Sequence, residues 1–154
     1  MDFLTIGSCY DTGVATSLIT RSVMAKRFIE STIWTQNQWF RKLDTKTKLF
    51  WFYLISNCDN VGVWEEDFEL VSFILHEEII KEEVYADLNG KIFILSDKKI
   101  WIRDFCDFQY GKLKEDEITN KPHQSYIKLL KQHGLWNIYS NPMDALDRAI
   151  FTKS

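Results

Sequence analysis

The chain has few glycines, prolines and cysteines, and this shortage limits the kinds of protein it can be. Only six glycines and two prolines occur among 154 residues, of which 45% are hydrophobic. A chain of this length and composition can bury one compact core, but it is too short for two ordinary domains. We therefore expect one domain with loose ends.

The three cysteines, Cys9, Cys58 and Cys106, are an odd number and include no CxxC pair. This argues against both a disulfide framework and a zinc finger. The first residues carry Asp2 and no basic stretch typical of a secretory signal, and no run reaches the roughly 18 apolar residues of a membrane span. We expect a soluble protein in the reducing cytoplasm.

Signatures of catalysis are also lacking. The sequence has no glycine-rich phosphate loop, no HExxH and no GxSxG, and His76, His123 and His133 are isolated from one another. Residues 65–87 hold nine carboxylates and one lysine, but these follow the spacing of a solvated helical face. The sequence therefore predicts no enzyme, no metal site, no cofactor and no small-molecule substrate.

Aromatic residues are frequent, with 11 Phe, 6 Trp and 6 Tyr, so we expect a core made largely of rings. Residues 33–43 suggest a short helix or an irregular aromatic clasp. Asp44 stands at an N-cap position, and 49–55 is apolar without interruption. A helix that is apolar all round predicts a central position. Asn57 to Gly62 should end it.

Two further helices are predicted after a brief extended link at Val61 to Trp64. Asp67 should cap a helix that reaches about His76, with these apolar side chains facing inward: Phe68, Val71, Phe73, Ile74 and Leu75. The second helix should run from Glu77 to Leu88, with Ile80, Val84 and Leu88 on its inner face.

Two alternating runs, 91–95 and 100–103, follow and predict a β-hairpin with a charged tip. Three helices and a hairpin are the order of a winged helix. Pro122 suits the first turn of a last helix that stops at Gly134. We thus expect an α+β fold, mainly α: a winged helix-turn-helix with a β-hairpin wing and an extra C-terminal helix. It should occupy 24–139, between a peripheral extension at 1–23 and a tail at 140–154.

A winged helix offers two elements for nucleic acid, the second helix of the turn motif and the hairpin. The net charge of −3 does not suggest a uniformly basic binder, so DNA contact must be local. The candidate DNA-binding residues surround the hairpin and the start of the central helix: Lys91, Lys98, Lys99, Arg103, Arg41, Lys42, Lys46 and Lys48. These residues are at least as well explained as solubilising a surface and protecting a strand edge.

The outer face of the helix predicted at 77–88 is acidic, so it should repel phosphates rather than enter the major groove. A module with one negative face and one positive edge can instead pair with copies of itself or with a basic partner. The predicted partner-binding residues are Glu78, Lys81, Glu82, Tyr85 and Trp101. Trp136 is a further aromatic residue expected to be exposed.

Five segments carry a resemblance to a known family: WFRKL at 39–43, KLFWFYLISNCD at 48–59, GVWEEDFEL at 62–70, FCDFQYG at 105–111 and HQSYIKLLKQHGL at 123–135. From Arg27 to Leu135 the chain resembles the N-terminal winged-helix domain of phage replisome organisers and DnaD-like replication initiation proteins. The resemblance implies a role in starting DNA replication, by binding the origin or by bringing in the helicase and its loader. It also implies self-association, with DNA and helicase contacts in a separate C-terminal region that the residues after Tyr139 are too few to form.

We therefore expect a non-enzymatic accessory protein of phage or prophage DNA replication. Its expected partners are the DNA backbone, further copies of the chain, and a helicase or helicase loader, without membrane contact. Two alternatives stay open: a protein interaction module with no DNA role, and a transcriptional regulator of phage genes.

Overall fold

The computed structural model describes residues 26–96 and 98–141. These residues form a mixed α+β structure, mainly helical, which confirms the predicted class. The predicted extension at 1–23 and the tail beyond Asn141 lie outside the described residues. In chain order the elements are α1 (Gln38–Arg41), α2 (Thr45–Asn57), β1 (Val63–Glu65), α3 (Phe68–Leu75), α4 (Lys81–Asp87), β2 (Ile92–Ile94), β3 (Lys99–Ile102), α5 (Phe105–Tyr110), α6 (Lys121–Gln132) and α7 (Trp136–Ser140).

The three strands form one antiparallel sheet in the order β1-β3-β2. The predicted hairpin is confirmed, because β2 pairs with β3 and Ile94 lies opposite Ile100. The link predicted at Val61 to Trp64 is wrong in part. Val63–Glu65 is a strand on the other edge of β3, with Trp64 opposite Ile100. Its pairing partner lies far along the chain, so the local sequence does not reveal it.

The starts predicted for α2, α3 and α6 are confirmed, because each depends on residues within one helical turn. The Asp44 carboxylate accepts from the Thr47 N–H at 2.8 Å, and the Asp67 carboxylate accepts from the Leu70 N–H at 3.0 Å. Pro122 lies in the first turn of α6, as predicted. Residues 33–43 form turns followed by the short α1, where Trp34 packs edge-on against Phe40.

Helix α2 packs on α3 and α4, and it buries one face rather than its whole surface. Phe50, Trp51 and Leu54 are buried, and the Phe50 ring stacks on Phe68 with centroids 5.7 Å apart. Leu49 is exposed, so the expected burial on all sides is wrong. Phe52, Tyr53 and Ile55 are half-buried, so part of the remaining surface of α2 is also covered.

The inward faces predicted for the next two helices need correction. Phe73 and Ile74 of α3 are exposed, and the following helix begins at Lys81 rather than Glu77. His76 ends α3 in the left-handed conformation, and an extended stretch then leads into α4. Ile80 therefore becomes an exposed N-cap residue, and Ile79 is buried in its place.

Helix α5 is not among the predicted elements. Its Gln109 side chain is buried, and it holds the backbone of Phe28 against α5 through two hydrogen bonds. The Phe28 N–H donates to Gln109 Oε1 at 2.7 Å, and Gln109 Nε2 donates to the Phe28 carbonyl at 2.9 Å. At the other end of the described chain, the Tyr139 hydroxyl of α7 donates to Asp107 of α5 at 2.6 Å. Helix α5 thus joins both ends of the described chain to the core.

Candidate nucleic-acid and partner surfaces

Two of the predicted DNA-binding residues come together at the base of the hairpin. The Arg103 N–H donates to the Lys91 carbonyl at 3.2 Å. Lys91 Nζ lies 4.8 Å from the centroid of the Trp39 ring. Trp39 is a residue of α1, as is Arg41. Arg103 Nε is 3.3 Å from Asp104, so part of its charge is compensated. Lys91 and Arg103, whose backbones the 3.2 Å hydrogen bond joins, are defined as the hairpin base.

The tip lysines lie elsewhere, beside two carboxylate residues of the β1 edge. The Glu66 N–H donates to the Lys98 carbonyl at 2.8 Å, and Lys99 stands opposite Glu65 in the sheet register. Lys99 and Ile102 are at opposite ends of β3, so strand β3 separates the tip from the base. The structure therefore does not bring the tip and base charges together.

The basic residues around the start of α2 form a third group. Lys46 Nζ is 3.8 Å from Glu77, and Lys48 Nζ lies 5.8 Å from the Phe40 ring centroid. Arg41 donates to the Thr35 carbonyl at 3.4 Å, and Lys42 is exposed. Lys46, Lys48 and Arg41 therefore each make a contact within the fold.

On α4, one residue that was predicted to be exposed for partner binding is buried. Tyr85 is only 8% exposed, and its hydroxyl donates to Glu66 Oε1 at 3.0 Å. Burial and the neighbouring Glu66 carboxylate raise the pKa of the Tyr85 hydroxyl. Lys81 Nζ lies 3.0 Å from the other Glu66 oxygen. Of the predicted α4 surface, the exposed residues are Glu78, Lys81 and Glu82.

Trp101 is a second correction, because it is a core residue with 1% exposure. Its ring stacks on Phe93 with centroids 5.6 Å apart, and its Nε1 donates to the Val61 carbonyl at 3.0 Å. Trp101 belongs to the central strand, whose two edges are both occupied. The missed strand β1 is the reason that this burial was not foreseen. Trp136 is half-buried against Tyr139.

A small cavity of about 150 Å³ lies beside the hairpin base. Most of its wall is apolar. Three polar wall residues have partners within the fold, but the buried Trp39 Nε1 has no hydrogen-bond partner among the described residues. Gln109 binds Phe28, the Asn37 side chain accepts from the Phe40 N–H, and Asp104 pairs with Arg103.

Helix α3 also carries an exposed apolar stripe that is not among the predicted sites, formed by Leu70, Phe73 and Ile74. All of the large residues of this helix except one are apolar, so periodicity gave no signal to distinguish its outer face. Within 26–96 and 98–141, no three His, Cys, Asp or Glu residues are grouped to hold a metal ion. No helix in those ranges has the length and apolar character to cross a membrane.

Comparison with known protein families, curated proteins and solved structures finds no match to this chain.

Proposed function

We propose that this chain is a winged-helix module acting as a non-enzymatic accessory protein of phage or prophage DNA replication. The order of elements supports the fold assignment. Helix α2 precedes strand β1, helices α3 and α4 come next, and the hairpin β2–β3 inserts its second strand between β1 and β2. This matches three helices and a hairpin wing, with the sheet holding the hairpin against the helices.

The resemblance over 27–135 supports the replication role, and charge indicates how the module works. Helix α4 has the position from which a helix-turn-helix protein reads bases. Its first turn carries Glu82 and Glu83, next to the exposed Glu78. Carboxylates at this position repel DNA phosphates, so the insertion of α4 into the major groove to bind bases is unfavourable. The acidic α4 surface is the observation that carries the proposal: the module assembles proteins, by self-association or by recruiting a helicase or its loader.

DNA contact is limited to the backbone, through the hairpin base. Lys91 is half-buried over Trp39, and Arg103 is half-buried beside Asp104. Two phosphate contacts give weak binding with a shallow salt dependence, of slope about −2 in a log–log plot. This is enough to orient an assembly on DNA without reading its sequence.

Fluorescence anisotropy with a short labelled duplex tests this contact, over about 50 to 200 mM salt. We expect wild-type binding at low salt to be lost in the double variant Lys91→Gln, Arg103→Gln. The matched control is Lys98→Gln, Lys99→Gln, which removes the same charge from the tip and retains binding. Equal loss in both variants would show that general charge, not the hairpin base, attracts DNA.

The second candidate function is a protein interaction module without DNA contact. This alternative is supported by the position of the tip lysines beside Glu65 and Glu66. The neighbouring carboxylates reduce the attraction of the hairpin tip for phosphate. Absence of any duplex binding by the wild type at low salt would favour this alternative over DNA contact.

A further inference from the structure

Helix α3 presents an exposed apolar stripe that no part of the described chain covers. Phe73 is 75% exposed, and Leu70 and Ile74 are also exposed, at the spacing i, i+3 and i+4 of one helical face. A different face of the same helix holds Val71, which is fully buried. The helix is therefore docked on the core by one apolar face and has a second apolar face turned outward.

The orientation of this helix is fixed at both ends. The Asp67 carboxylate caps the first turn through the Leu70 N–H. At the other end the Glu77 N–H donates to the Ser72 carbonyl, and the Ile79 N–H donates to Ser72 Oγ at 3.0 Å. These bonds position the stripe, so its exposure is a property of the folded helix.

Negative charge surrounds the stripe. Glu69, Glu77 and Glu78 are exposed around the stripe-bearing helix. The one lysine within 65–87, Lys81, is already paired with Glu66. Lys46 lies 3.8 Å from Glu77 with both side chains nearly half exposed, a pairing that solvent screens strongly.

This charge selects between possible occupants of the stripe. A second copy docking the same face around a two-fold axis would bring the two sets of glutamates together, which is unfavourable. A partner with apolar residues at its centre and positive charge at its flanks would satisfy both the stripe and its surroundings.

We propose that the α3 face (Leu70, Phe73 and Ile74 with Glu69, Glu77 and Glu78) binds a basic amphipathic helix of another protein. The partner helix places apolar side chains at i, i+3 or i+4 and i+7 against the stripe, and lysines or arginines beside the glutamates. This inference does not depend on DNA contact, since it uses no residue of the hairpin base.

A library of helical peptides tests the proposal with the full chain as bait. Every peptide has leucines at the three apolar positions, and the flanking positions vary among Lys, Glu and Ser. We expect selection to enrich lysine at the flanks. Binding of the selected peptides should weaken about tenfold or more in Phe73→Ser. Phe28→Ser is the matched control, because Phe28 is 70% exposed on another segment, and it should bind like the wild type.

Thermal unfolding of both variants should match the wild type, because both side chains are exposed. Selection without lysine enrichment would overturn the proposal, as would equal binding by Phe73→Ser. Analytical ultracentrifugation tests whether a second copy of the chain occupies the α3 face. A wild-type dimer that becomes a monomer in Phe73→Ser would assign the face to a second copy and contradict the proposal.

Discussion

His133, the C-cap of helix α6, lies with Nε2 2.7 Å from Asp59 Oδ2, across 74 residues of sequence. The other oxygen of Asp59 accepts the N–H groups of Val61 and Val63, at 2.9 and 3.0 Å. One carboxylate therefore shapes the turn between α2 and β1 and also joins that turn to α6.

Replacing this carboxylate should destabilise the fold in two separable steps. Asp59→Ala removes all three contacts, and we expect a loss of about 2–3 kcal/mol in the free energy of unfolding. Asp59→Asn retains an oxygen for the two backbone N–H groups and should cost only about 1 kcal/mol. Urea denaturation measures both. Equal losses in the two variants would contradict the assigned role in the turn.

Asp44 should make α2 sensitive to acid. The hydrogen bond from the Thr47 N–H is the main cause that holds the pKa of the Asp44 carboxyl below its ordinary value of 3.8. A lowered folded pKa means that the stabilisation is complete above the ordinary value and is lost as pH falls through the folded pKa. At neutral pH, Asp44→Ala should cost about 1 kcal/mol.

The difference in unfolding free energy between wild type and Asp44→Ala should then shrink as the pH falls below 3.8. Asp44→Asn is the control, since its side chain still caps the helix but carries no titrating proton. A difference that stays constant into strong acid would show that the charge of Asp44 does not contribute.

The two tryptophans at 34 and 101 should respond very differently to truncation. Trp101→Phe removes the indole donor of a buried hydrogen bond to the Val61 carbonyl, and we expect a loss of about 1–3 kcal/mol. Trp34 is 57% exposed, so Trp34→Phe should stay within about 0.5 kcal/mol of the wild type. Equal melting temperatures for wild type and Trp101→Phe would contradict its core position.

Cys58 and Cys106 should resist alkylation in the folded protein. Burial is the main cause that raises the pKa of each thiol to about 12, so little reactive thiolate forms near neutral pH. Mass spectrometry after iodoacetamide treatment should find both unmodified in buffer and modified in urea. Rapid modification of either cysteine in the native protein would show that its side chain is accessible.

The features that are predictable from the sequence are those fixed by residues close together in the chain. Asp44, Asp67 and Pro122 act within one helical turn, so their caps could be predicted. The hairpin is equally local.

Burial depends on distant segments, and several predictions of exposure or burial are therefore wrong. Strand β1 forms only because β3 is available beside it, and it explains the burial of Trp101. Tyr85 looked like a surface residue, but Glu66 provides its buried partner from 19 residues away. Helix α3 has apolar residues on more than one face, so the spacing of its apolar residues does not reveal that Phe73 is exposed.

The replication role itself is tested most directly by cross-linking the full chain to DNA in cells that replicate the genome encoding it, followed by mapping of the bound fragments. We predict enrichment around a replication origin that is reduced in the Lys91→Gln, Arg103→Gln variant. Enrichment upstream of promoters instead would contradict the replication role and identify a transcriptional regulator.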